Sequence, residues 1–185
     1  MNRRYSAFTL VEMLIVMGIL IILMAVGITA GRFAINRAND VAHQNAADQL
    51  YTAMQAYYTD EREFPDNSAE SWTFGDALAT GGDLSEYMGD GEFTGGTDAT
   101  FYYWRSAGDA GSATAEGQAI LVCVSLGGLL DESARGFYCT GNGFGSEVSG
   151  IDDKNVPNPD GSLEAPGFTG TGTTTQQNWE TKAWK

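Results

Sequence analysis

Three groups of residues have the types and spacing to do chemistry. The first lies in GIDDKNVPNPDGSLE, where Asp152, Asp153, Asn155, Asn158 and Asp160 crowd oxygen-bearing side chains into one short stretch. Calcium favours such sets of carboxylate and amide oxygens. The spacing is not that of an EF-hand loop, and Pro157 and Pro159 suit an exposed turn. A calcium site and a plain solvated loop both fit. The second group is Cys123 and Cys139, set in the apolar surroundings ILVCVSL and GFYCTG. In an oxidising compartment they would form a disulfide, closing a loop of about 17 residues for about 3 kcal/mol. The alternative is two buried free thiols. Zinc is disfavoured because the sole histidine, His43, is remote in sequence. The third is Glu12, a carboxylate inside the apolar run Phe8–Ile28. Near a bilayer centre a lone carboxylate costs roughly 2.5–3.5 kcal/mol even on mild scales, so its presence asks for a partner.

Enzymatic readings are weak. With one histidine, a Ser-His-Asp arrangement would have to use His43, which sits in a helical stretch and reads as a surface or subunit-contact residue. GNGFGS (141–146) superficially resembles a phosphate loop but lacks the following lysine and a helix start. Adjacent acids such as Asp152 and Asp153 could serve acid–base work, though exposed pairs are usually only solvated. The formal charge of −14, from 24 acidic and 10 basic side chains with no basic stripe, argues against nucleic acid. The 24 glycines, mostly after residue 74, indicate turns and loops rather than a helical bundle.

The N-terminal segment must position Glu12, and three readings compete for it. A secretory signal peptide would use Arg3-Arg4 as its basic region, but the apolar run is too long, contains an acid, and is followed by no good small-x-small cleavage site. A plain membrane anchor fits better, because about 20 helical residues span about 30 Å. Arg3 and Arg4 would then stay inside and the bulk of the chain would pass out, a bias blunted by Arg32 and Arg37. The third reading accounts for the acid. SAFTLVEMLIVMGILIIL resembles the N-terminus of type IV prepilins and type II secretion pseudopilins. The resemblance implies a cytoplasmic leader, residues 1–7, removed by prepilin peptidase between Ala7 and Phe8, with N-methylation of the new terminus at Phe8. It implies that Glu12 pairs with the Phe8 amine of a neighbouring subunit during assembly. A buried ion pair is tolerable where one unpaired charge is not, and a single buried polar group can set register. Two positions depart from the family: Ala7 stands where glycine is usual, and Thr29 where major pilins often have a helix-breaking proline. Gly18, Gly27 and Gly31 would either let the helix bend or permit close helix packing.

Beyond the membrane-length run, Ala47, Leu50, Met54 and Tyr57 recur at steps of three and four, opposite Asp40, Gln44, Asp48, Gln49 and Gln55. The helix should therefore continue to about Tyr58, some 76 Å from Phe8, and end in MQAYYTDEREFPDN, where Pro65 and the polar run Thr59–Glu63 stop it. That exit also resembles the place where pilin-like chains leave their helical spine. SWTFGDALATGGDLSEYM (71–88) reads as a loop with one or two helical turns. ATFYYWRSA (99–107), QAILVCVSL (118–126) and GFYCT (136–140) read as antiparallel strands, the second a central one. Trp179 and Trp184, near the end of a Gly/Thr-rich tail, would either dock that tail on the head, as an added edge strand for instance, or contact a neighbouring subunit or ligand.

The expected fold is α+β, of type IV pilin-like form: a long N-terminal spine helix, half membrane-embedded and half amphipathic, packed on a small antiparallel sheet with long loops. The expected organisation is a leader at 1–7, the hydrophobic half of the spine at 8–31, its amphipathic half at 32–60, a variable connection at 61–98, the sheet at 99–145, and a C-terminal loop and tail at 146–185. The resemblance implies a structural subunit and not an enzyme. It would be a single-pass precursor in the inner membrane with its head outside the cytoplasm, handled by prepilin peptidase and pilus assembly machinery, then built into a homo-oligomeric helical filament. Motility, adhesion, DNA uptake and secretion are the uses such filaments have. A pilus subunit is the primary expectation. The alternatives are a pseudopilin of a type II secretion or competence system and a membrane-anchored adhesive domain that never polymerises. No cofactor is expected, apart from the calcium that the Asp152–Asp160 cluster admits; the resemblance favours it slightly, because major pseudopilins carry calcium in their C-terminal loops.

Overall fold

A single helix, α1 (Leu10–Glu61), leads the chain in the computed structural model. The model describes residues 9–67, 72–89, 93–106, 117–130, 134–142, 148–149, 167–168 and 172–179. The chain falls into two units, Met1–Ala38 and Asn39–Lys185.

In the first unit α1 carries apolar side chains on every side. Large ones from Leu10 to Ile28, and Phe33 and Ile35 beyond, are exposed, Leu10 to 81% and Phe33 to 76%. A helix apolar all round needs an apolar surrounding, and this one is long and apolar enough to cross a membrane. No break occurs at Thr29. Its hydroxyl donates to the carbonyls of Ala25 and Val26 (3.3 and 2.9 Å), so the polar group is satisfied within the helix.

In the second unit α1 becomes one-sided. Ala46, Ala47, Leu50, Ala53 and Met54 are buried, with Tyr51, Tyr57 and Tyr58 packed partly against the same core. The helix stops after Glu61, where Arg62 adopts a left-handed conformation (φ 68°). The stripe meets a four-stranded antiparallel sheet ordered β3-β2-β1-β6, made of β1 (Ala99–Ser106), β2 (Ile120–Leu126), β3 (Gly136–Gly141) and β6 (Gly172–Trp179). Alternation decides which side chains face the helix. Phe101 and Tyr103 pair with Val124 and Val122, and all four join the helix stripe in one core. Trp104 and Leu121, opposed on the other face, form a separate cluster with Ala119. Every residue of β1 is buried, as is β2 through Ser125. Strands covered on both faces read as continuous apolar runs, which is why ILVCVSL carries no polar alternation.

A short helix, α2 (Phe74–Leu78), is capped by Thr73, whose Oγ1 accepts from the Asp76 amide and donates to the Asp76 carboxylate. It places Phe74 and Leu78 in the core beside Leu84, Phe64 and Phe93. A separate two-stranded ladder joins β4 (Val148–Ser149) to β5 (Gly167–Phe168).

The fourth strand extends the sheet beyond the stretch 99–145 that composition marks out. β6 is polar, and side chains help to hold it. Thr100 donates to Asn178, Asn67 to Thr175, and the Gly75 amide to Gln177. Trp179 closes the strand and is buried against Phe93, at 5.3 Å between ring centroids. The tail is thus docked through Trp179, while Trp184 lies outside the described residues.

Cys123 of β2 and Cys139 of β3 stand directly opposite each other, with Cα atoms 4.1 Å apart, and form a disulfide. It ties the β3 edge of the sheet to the buried central strand. Replacing both cysteines by alanine is expected to lower the unfolding free energy by about 3 kcal/mol, measured by chemical denaturation of the full chain in detergent. A loss under about 1 kcal/mol would show that strand pairing alone secures β3.

Candidate functional site

The start of α1 holds the one acid of its apolar stretch. A helix begins with four backbone amides that lack an intrahelical acceptor. Thr9 and Glu12 answer that need reciprocally: the Glu12 amide donates to Thr9 Oγ1 (3.3 Å), and Glu12 Oε2 accepts from the Thr9 amide (2.9 Å) and the Thr9 hydroxyl (2.8 Å). This is a capping box, a Thr at the N-cap and a Glu three residues on. Both Thr9 donors fall on Oε2, so among the described residues Oε1 has no partner, and the carboxylate also complements the positive end of the helix dipole. The acid therefore has a partner within its own chain, and T-x-x-E ahead of an apolar run is the sequence signal of that cap. Ala7 and Phe8, the expected cleavage and methylation positions, lie outside the described residues.

The other expected site residues do not converge on Glu12. Cys123 and Cys139 are in the disulfide. Asp152, Asp153, Asn155, Asn158 and Asp160 lie outside the described residues, and among the described ones no group of three or more His, Cys, Asp or Glu could hold a metal ion. His43, expected on the helix surface, is instead completely buried, with Nε2 3.1 Å from the Thr97 carbonyl oxygen. The reason is that its helix position falls beside the buried stripe, and the turn before β1 covers it.

Sequence reasoning overlooked Arg105, a lone cation within an aromatic strand. It is buried, and its guanidinium reaches Phe64 O with Nε (3.1 Å), Asp66 with Nη1 (3.1 Å) and Glu63 with Nη2 (3.2 Å). Two residues back on the same face of β1, the Tyr103 hydroxyl donates to Pro65 O (2.8 Å), and burial pushes that phenol well above its ordinary pKa, so it stays a donor. The two side chains hold the segment by which the chain leaves α1. Gly117 completes the site: with φ +69° and the Arg105 guanidinium packed where a Cβ would stand, no other residue fits there without displacing the arginine. Along α1, Asp40 and Asp48 anchor β3 and the turn before it, Asp40 paired with Arg135 (3.0 Å) and Asp48 accepting from the Tyr138 hydroxyl (3.1 Å).

Comparison with known proteins touches the helix start alone. Residues 2–28 match the family described as the prokaryotic N-terminal methylation motif. No curated protein and no solved structure matches the chain.

The carboxylates around Arg105 are more than half exposed, so the ion pairs themselves contribute little. The charge-assisted bond to Phe64 O and the buried stem matter more. Arg105→Met is therefore expected to cost about 1.5–3 kcal/mol, seen as a lowered denaturation midpoint with an unchanged dependence on added salt.

Proposed function

We propose, from the premise that residues 2–28 carry the hallmark of type IV pilin and pseudopilin precursors, that this chain is a structural subunit of a pilus-like extracellular filament. The motif implies processing by prepilin peptidase and assembly, and the apolar helix is consistent with membrane anchoring of the precursor. In this reading Arg3-Arg4 remain cytoplasmic. The bond between Ala7 and Phe8 is cut, the Phe8 amine is methylated, and the head lies outside the cytoplasm, where the Cys123–Cys139 disulfide is stable.

The observation that carries the reading is the state of Glu12. Its carboxylate is held by Thr9 through Oε2, with Oε1 unpartnered among the described residues, at the start of a helix whose apolar surface is exposed all round. In lipid, the Thr9 donors lower the cost of the charge without removing it. In a filament, the free amine at Phe8 of an adjacent subunit supplies a full counter-charge, while the surface from Leu10 to Ile28 passes from lipid to neighbouring helices. Apolar contact alone would not fix how far one helix slides along the next. The ion pair does, since a misaligned subunit leaves both charges buried and unpaired, which costs several kcal/mol. Within the superfamily, the disulfide-braced sheet favours a pilus subunit over a pseudopilin.

Glu12→Ala should abolish filaments recovered by shearing cells while leaving the processed subunit in the membrane; filaments in unchanged amount would sink the proposal. Intact mass of the isolated protein should correspond to a start at Phe8 with one methyl group, about 14 Da, added. A mass starting at Met1 would count against processing. Thr9→Val should lower filament yield and Thr9→Ser should restore it, as expected if the hydroxyl is what holds the carboxylate.

A further inference from the structure

His43 is the only histidine in the chain. It is completely buried, and among the described residues its Nδ1 has no hydrogen-bond partner. Its Nε2 meets the carbonyl oxygen and the hydroxyl of Thr97 (3.1 and 3.2 Å). With Nε2–H donating to the Thr97 carbonyl, Nδ1 is a bare lone pair, which a neutral ring tolerates. The turn that covers the ring is held from its other side by β6. Gly96 has φ +84°, and a Cβ there would lie 3.0 Å from Ala42 Cβ and 3.2 Å from His43 Cδ2, so the turn's backbone rests on α1 and on the imidazole. The Gly96 carbonyl accepts from Trp179 Nε1 (3.2 Å), and the Trp179 indole lies 2.9 Å from where a Cβ on Gly95 would stand. Residues 95–97 are thus clasped between His43 of α1 and Trp179 of β6.

We propose that His43 is an acid-operated catch for this edge of the head: the neutral ring holds the 95–97 turn on α1, and protonation releases the turn together with Trp179 at the end of β6. A proton on Nδ1 would create a buried N–H without an acceptor and a charge without solvent, and the ring relieves both by moving to water. The charged groups near it among the described residues are Asp40 on α1, Arg135, which is ion-paired to Asp40, and Asp98 beside Thr97 in the turn; β6 presents the uncharged Trp179. Burial is the leading influence and holds His43 below the ordinary histidine pKa of 6.5, against smaller opposing contributions from the Thr97 carbonyl and Asp40. Asp40 is already engaged by Arg135, which weakens its pull. The sign follows. The closed state binds the proton less readily than the open one, so closure is fully stable above the ordinary pKa. It weakens as pH falls from there through the lower, closed-state value. Within that window the opening constant rises by up to about tenfold per pH unit.

The test uses the full-length protein in detergent micelles, followed by NMR between about pH 7.5 and 4.5, the range in which histidine titrates. The single histidine makes the imidazole resonance unambiguous, and Trp179→Phe identifies the relevant indole among the 4 tryptophans. The expected result is a His43 midpoint below 6.5, with the Trp179 indole shift and faster amide exchange at residues 95–97 following the same midpoint, while β2 amides stay protected. In His43→Gln, whose amide donates to Thr97 without taking a proton, those changes should disappear. The inference is overturned if His43 titrates at or above 6.5, if the Trp179 signal follows a different midpoint, if it titrates equally in His43→Gln, or if β2 exchanges along with the turn. Should the variant not fold, the coincidence of midpoints in the native chain decides alone.

Discussion

The structure of the head depends on the burial of one helical stripe. Ala46, Ala47, Leu50 and Met54 lie against Phe101, Tyr103, Val122 and Val124, and these contacts define the face of the sheet that looks inward. Completely burying one such large side chain contributes about 1.5–3 kcal/mol, so the stripe and its partners outweigh any single polar contact in the unit. The polar contacts have another task, which is to set register. Asp40–Arg135 and Asp48–Tyr138 fix how far along the helix β3 and the turn before it sit, and Arg105 with Tyr103 fixes where the chain leaves the helix. Ala46 and Ala47 contribute small side chains to this core, and the larger Leu50 and Met54 fill the depth between helix and sheet.

The same helix obeys a different rule in its first unit. There the apolar residues occupy every face and are exposed, and the one acid is retained in a capping box. The box reconciles two demands. It closes two of the open amides at the helix start, those of Thr9 and Glu12, and it keeps a carboxylate at that end of the helix. A glutamine could serve the first demand, but only an ionised acid serves the second.

Much of this was legible in the sequence, because the signals were local and periodic. The three-and-four spacing of Ala47, Leu50, Met54 and Tyr57 announced the buried face, and the dense aromatic and β-branched runs announced β1 and β2. The features that escaped are those whose cause lies far along the chain. His43 lies one turn before Ala47 on the same stripe, but its burial is completed by Thr97 and Gly96, far along the chain. Arg105 reads as an ordinary surface cation until the 63–66 segment is seen to wrap around it. β6 is written in Thr, Gln and Asn; an added edge strand was one of the readings its sequence left open, and pairing with β1 makes it one. The capping box is the exception, since its signal, a Thr three residues before a Glu, is wholly local.

The position of β6 has a consequence in time. β1 lies between β2 and β6, so one edge of this wholly buried strand is completed by residues 172–179, close to the end of the chain. β2 follows β1 after a short connection, but 65 residues, 107–171, separate β1 from β6. At a synthesis rate of roughly 5–20 residues per second that interval lasts several seconds. Throughout it, an open row of amides and carbonyls flanked by Phe101, Tyr103 and Trp104 has no native partner. Such an edge invites foreign strands, so the order of the strands leaves the most aromatic strand open on one side until β6 has been made.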